Sequence, residues 1–201
     1  MDKTAAILGS VALVAMLGIV GYIGFERSRN AANNCANGVV GGDIGGPFTL
    51  VDTAGATVTD KDVITKPSLI YFGYTFCPDV CPFDNARNAQ AVDILTERGI
   101  DVAPVFITVD PLRDTAQVMA EYTSNIHPAM IGLTGSEDQI KAAADAYRVL
   151  YQRREVGGGG YLMDHSVFTY LVTPETGFVD FFQRDATPEE VADTVACFAG
   201  A

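Results

Sequence analysis

Three observations predict an α/β fold in which a mixed central sheet carries helices on its faces and one apolar helix precedes it. From about residue 47 onward, short apolar runs of buried-strand type alternate with segments of helical spacing. Near the N-terminus, Ala5 to Phe25 form 21 residues without a charge. The 201-residue chain has only four cysteines, too few for a disulfide-built scaffold, so apolar packing must hold the core.

At about 1.5 Å per helical residue the uncharged stretch reaches about 31 Å, the thickness of a bilayer's hydrocarbon core. A signal peptide would have a shorter apolar region and a small-residue cleavage site behind it. Residues 1–25 are therefore expected to be an uncleaved membrane anchor. The residues before Cys35, Ala32-Asn33-Asn34, are not the small apolar set that a lipid-attachment site needs. Arg27 and Arg29 behind the stretch weakly favour a cytoplasmic position for the remainder of the chain. Residues 26–46, with five glycines and four asparagines and no periodicity, read as a flexible linker. The globular unit is expected over 47–201.

Its elements come in order. Phe48–Val51 and Thr57–Thr59 flank turn residues and predict a hairpin, and Ser68–Phe72 predicts a buried strand. Phe83–Arg98 lacks Gly and Pro and is closed by Gly99, which predicts a helix. Val105–Val109 reads as a strand, and Asp114 starts a helix running to Pro128. Met130–Leu133 reads as the next strand. Ser136 and Gln139 form a capping box before Ile140, Ala143, Ala144, Tyr147 and Tyr151, which share one helix face. Val167–Val172 and Gly177–Phe182 predict an antiparallel hairpin, and Thr187-Pro188-Glu189-Glu190 opens a last helix. This order is that of a thioredoxin-like fold.

A net charge of −12 has the wrong sign for neutralising phosphates, so nucleic acid is excluded as a partner. The chemistry lies elsewhere, at the end of the Ser68–Phe72 strand, where Cys77-Pro-Asp-Val-Cys81-Pro leads directly into a helix. With Pro82 at the first helical position, Cys81 falls at or near the N-cap, where N–H groups and the helix dipole favour a thiolate. In a roughly helical turn, sulfurs at i and i+4 face the same way, so the pair suits one metal ion or a disulfide. Its three intervening residues exceed by one the usual dithiol-exchange spacing.

Of the two histidines, His127 before Pro128 reads as an exposed helix-end residue without a function. His165, just ahead of the late hairpin, falls where a thioredoxin-like fold brings the chain beside the cysteines. Two thiolates and one imidazole form a soft three-ligand set that suits Cu(I), and Cu(II) with one more weak ligand; structural zinc wants four ligands. Gly157–Gly160, ending five positions ahead of His165, read either as a plain surface loop or as a tract that lets this histidine swing.

The segments FGYTFCPDVCP, TVDPLRDT (Thr108–Thr115), IGLTG (Ile131–Gly135) and YLMDHS together resemble the Sco/SenC family, membrane-anchored copper-binding assembly factors for cytochrome c oxidase. The resemblance runs from about Gly42 to the C-terminus. It implies Cys77, Cys81 and His165 as copper ligands, with Asp79 part of the motif. It implies a metallochaperone, more than an enzyme, that serves the dinuclear copper site of oxidase subunit II. A thiol-disulfide oxidoreductase acting on that subunit is the alternative. It also implies a domain in the periplasm or intermembrane space, which outweighs the Arg27/Arg29 count. Without an Arg- and Ser-rich presequence, the bacterial inner membrane, with the domain in the periplasm, is expected. Asp110-Pro111-Leu112-Arg113-Asp114 reads as a fold-stabilising turn or a partner surface. Cys197 reads as a core thiol, and a Cys35–Cys197 bridge stays open because sequence does not place their Cα atoms.

Overall fold

The structure, a computed structural model, describes Cys35 and residues 43–199. The expected anchor over Ala5–Phe25 and most of the linker lie outside the described residues; among those described, no helix is long and apolar enough to cross a membrane.

A seven-stranded sheet has the order β2-β1-β5-β4-β3-β8-β9. Its strands are β1 Thr49–Asp52, β2 Thr57–Thr59, β3 Ser68–Gly73, β4 Ala103–Thr108, β5 Ile131–Thr134, β8 Thr169–Thr173 and β9 Gly177–Phe182. The central β3, β4 and β5 run parallel, and β1 and β8 close on them antiparallel, so the sheet is mixed as expected. All six residues of β3 and of β4 are buried, which explains why both read as continuous apolar runs.

Five helices accompany the sheet among the described residues: α1 Asp60–Val63, α2 Val80–Glu97, α3 Ala116–Ile126, α4 Glu137–Ala146 and α5 Pro188–Ala199. Along β8, Tyr170 and Val172 join an apolar cluster with Met119 of α3 and Ile140, Ala143 and Ala144 of α4. Leu171 between them joins a second cluster with Val92 and Leu95 of α2 and Val191 and Val195 of α5. Helices therefore cover both faces. The capping box of Ser136 with Gln139 is present, and Thr187 and Glu190 form the reciprocal pair at α5. Gly99 closes α2 with φ +75°, and Ile100 N donates to Leu95 O beside it.

Three elements differ from expectation. Helix α2 begins at Val80 with Asp79 as N-cap, so Pro82 is its third residue rather than its first; any first-turn position tolerates proline, because those N–H groups have no intrahelical partner. Helix α3 starts after Thr115, whose side chain caps it, and Asp114 is committed elsewhere. The helical spacing through Tyr151 stops at α4's end, where Arg148 turns the chain with φ +56°. Tyr151 instead opens a hairpin that the strand pattern does not reveal, β6 Tyr151–Val156 paired, among the described residues, only with β7 Gly160–His165. Four exposed residues in a row, Gln152 to Glu155, leave β6 without the alternation that marks a half-buried strand.

Candidate metal centre

The two cysteines hang from the C-terminal end of β3, the edge where α/β sheets collect ligands. Gly73, its last residue, is required by close approach: a Cβ there would lie 2.9 Å from Cys81 Sγ, Phe106 Cε2 and Tyr71 Cε1. Gly73→Ala is expected to lower unfolding stability by about 1–3 kcal/mol through overpacking and to displace the Cys81 sulfur. Chemical denaturation together with metal titration checks both effects.

The loop after Gly73 is held from below. Thr75 donates its N–H and its hydroxyl to the Asp114 carboxylate at 2.9 and 2.6 Å, and Thr108 Oγ1 donates to the same group at 2.6 Å. Cys77 N then donates to Tyr74 O. At the start of α2, Cys81 N donates to Cys77 Sγ at 3.4 Å, so the first sulfur occupies the capping place that the Asp79 side chain leaves unused. Cys81 is fully buried, whereas Cys77 keeps 8% of its surface exposed and is the nearer of the two to solvent.

That arrangement splits the pair electrostatically. The Cys81 thiol, donating to Cys77, together with His165 and the backbone N–H groups of Asp79 and Cys81, holds the Cys77 thiol down at about 3 against its burial. Cys81 is pushed up, first by the hydrogen bond with Cys77 and then by burial. One thiolate and one thiol thus share the site at neutral pH. A depressed folded value keeps Cys77 ionised until the pH falls toward that value. Iodoacetamide is therefore expected to label Cys77 at pH 5 nearly as fast as at pH 7 and to leave Cys81 unlabelled in the native protein. Peptide mapping reads this, and a tenfold drop in rate between pH 7 and 5 would contradict it.

His165 ends β7, opposite Tyr151, and its Nε2 lies 3.3 Å from Cys81 Sγ. The ring stands edge-on between Tyr71 and Tyr74, with centroids at 6.2 and 5.8 Å. Nδ1 lies 2.8 Å from Ser166 O, and a carbonyl only accepts, so Nδ1–H is the donor there. Nε2 is the ring nitrogen turned toward the sulfurs and the one that would take a metal ion. One ligand atom from each of Cys77, Cys81 and His165 lies within 4.8 Å of the others, so the structure brings together the three residues singled out in the sequence.

Other residues fall differently. His127 caps α3 and meets Asp93 at 3.2 Å, away from this cluster. Cys197 is not a core thiol: it is exposed on α5 and bonded to Cys35, with Cα atoms 5.6 Å apart. Gly157–Gly159 form the tip of the β6–β7 hairpin and Gly160 opens β7, whereas His165 sits at the opposite end, where Tyr151 pairs with it. The glycines therefore do not hinge this histidine. Sequence reasoning missed Tyr71 and Tyr74 as walls of the site and Asp114 as its anchor. The two tyrosines stand within and just after the apolar β3 run, where they read as core.

Residues 39–200 match the family model described as SCO1/SenC. Protein SenC of Rhodobacter capsulatus is 55% identical over 203 residues, covering 100% of this chain and 92% of that protein. Among solved structures, the crystal structure of Arabidopsis thaliana ScoI with copper bound is 44% identical with a TM-score of 0.75, covering 79% of this chain and 99% of that one. Bradyrhizobium japonicum ScoI with copper bound is 40% identical with a TM-score of 0.67, covering 76% of this chain and 98% of that one. A family model spanning most of the sequence, and a relative this similar along its whole length, place the chain in the SCO1/SenC family.

Proposed function

We propose that this protein is a copper metallochaperone that holds one copper ion on Cys77, Cys81 and His165 and passes it to the dinuclear copper site of cytochrome c oxidase subunit II. The convergence of two sulfurs and one oriented imidazole nitrogen within 4.8 Å carries this reading, because a soft three-ligand set fits Cu(I) and leaves room for an incoming ligand. Copper bound to two similar relatives supports it. Transfer proceeds by ligand exchange: a partner thiolate approaches from the side of Cys77, the less buried of the two cysteines, and Cys81 is the last to let go. The organisation that goes with this role is a membrane anchor over 1–25, a linker over 26–46 and a copper-binding domain over 47–201. The domain faces the periplasm from a bacterial inner membrane. The Cys35–Cys197 disulfide supports an oxidising compartment.

The split thiol pair favours a second reading, reduction of a disulfide in subunit II. The Cys77 thiolate attacks one sulfur of that disulfide and releases the other as a thiolate. Cys81 then gives up its proton and attacks the mixed disulfide, so the partner leaves with two thiols and Cys77–Cys81 is oxidised. His165 separates the readings. Copper(I) titration of the reduced protein against a chelator of known affinity is expected to give one ion per chain, held more weakly in His165→Ala. A stoichiometry near zero with free thiols overturns the chaperone reading.

A further inference from the structure

The site is assembled from two pieces that share no β-ladder. Cys77 lies in the loop between β3 and α2 and Cys81 in the first turn of α2, whereas His165 rides on the β6–β7 hairpin, which among the described residues pairs only with itself. Tyr71 and Tyr74 flank the His165 ring from the cysteine side, and one further side chain, which belongs to neither piece, bridges the two. The Arg113 guanidinium lies 3.7 Å from the centroid of Tyr161 on β7 and 4.9 Å from that of Phe76, the neighbour of Cys77. Its Nη1 donates to Tyr161 O at 3.1 Å, and its Nε donates to Asp110. Tyr161 completes the ring by donating its hydroxyl to the other Asp110 oxygen at 2.9 Å.

We infer that Arg113, with Asp110 and Tyr161, is the latch that positions His165 against the two sulfurs. The planar guanidinium does this by stacking on rings from the hairpin and the cysteine loop while its edge bonds the hairpin backbone; lysine has neither the plane nor the fork. The latch is built to open. Asp110 is buried but Arg113 is not, and Nη2 is a buried donor without a partner among the described residues. That unpaired donor sets a cost against the bonds the other nitrogens make. Met163 still anchors the hairpin in the apolar core, so loss of the latch loosens the histidine and leaves the fold intact. Arg113 is thus a positioning residue, acting on the ligand through Tyr161 of the same strand, β7.

This inference rests on the copper reading only for its first test. In the full chain, Arg113→Ala is expected to weaken copper(I) binding about tenfold, in the range of residues that orient a metal-bound histidine. Combining Arg113→Ala with His165→Ala is expected to add nothing to the loss from His165→Ala alone, because a latch without its histidine has nothing left to position. Arg113→Lys should fall between wild type and Arg113→Ala. Equal losses with and without His165, or no loss at all, overturn the inference. The second test needs no copper: in the metal-free full chain, hydrogen exchange at residues 151–165 is expected to quicken at least tenfold in Arg113→Lys and Arg113→Ala, with β3 and β4 unchanged. If the wild-type protein takes up no copper, the proposed function fails and this exchange test alone decides the latch. Unchanged exchange beside normal copper binding sinks the latch and leaves the function standing.

Discussion

Replacing Cys81 with serine is expected to abolish tight copper binding in a protein that still folds. Cys81 is the innermost ligand of the three, fully buried and 3.3 Å from His165 Nε2. Serine offers a hard hydroxyl that stays protonated, which leaves the ion one thiolate and one imidazole. Four-ligand zinc sites hold their metal by about 10–16 kcal/mol, so one ligand's share of about 2.5–4 kcal/mol is worth roughly 60- to 700-fold in affinity. The fold survives because serine nearly matches the shape and can still donate to the Cys77 sulfur. Cys77→Ser is expected to lose copper just as fully and also to lose the thiolate that accepts from Cys81 N at the start of α2. Competition titration with circular dichroism on the same samples checks the claim. Copper affinity of Cys81→Ser equal to wild type would show that the ligands are wrongly assigned.

What was legible in the sequence is what depends on neighbours along the chain. The cysteine pair declares itself because Cys-x-x-x-Cys beside proline at a strand-to-helix junction has a local physical meaning. The caps at Ser136 and Thr187 and the stop at Gly99 are likewise read within a few residues. His165 was reached only by combining its place in the element order with the expected fold, and the Ser166 carbonyl that accepts from its Nδ1 is invisible until the backbone is seen.

Contacts across the fold escaped for a corresponding reason. Asp114 sits where an N-cap is expected, and nothing local distinguishes a capping aspartate from one whose partner, Thr75, is 39 residues away. The β6–β7 hairpin escaped because Tyr151 continues the helical spacing of α4, while β6 itself is exposed and charged. Only the left-handed turn at Arg148 separates the two elements, and arginine is not a residue that announces φ > 0. Cys197 misled because its neighbours Ala196 and Phe198 are apolar, although a helix turns successive residues away from one another. The chemistry of the site was therefore more legible than its supports.

Asp114→Ala is expected to have the largest effect on stability, a loss of about 3 kcal/mol, with a disordered metal site as its consequence. The carboxylate is fully buried and accepts from Thr75 N, Thr75 Oγ1 and Thr108 Oγ1. Hydrogen bonds to a charged acceptor contribute about 1.5–3 kcal/mol each, and alanine would leave all three donors without it. The net loss stays below their sum, since removing a buried charge also removes the cost of drying it. Burial outweighs those donors and holds the Asp114 carboxyl above the usual carboxylate range. The folded state therefore keeps this proton more tightly than the unfolded chain. That part of the stability is complete below the unfolded value and is lost as the pH rises through the folded one. The gap between wild type and Asp114→Ala should accordingly narrow as pH rises through that range, and Asp114→Asn, keeping one acceptor oxygen, should lose less. Because Thr75 begins the loop that carries Cys77, copper affinity should fall together with stability. Urea unfolding at pH 4 and pH 7 measures the gap; a loss under 1 kcal/mol would mean that Asp114 does not anchor this loop, and a gap that widens with pH would mean that the donors outweigh burial.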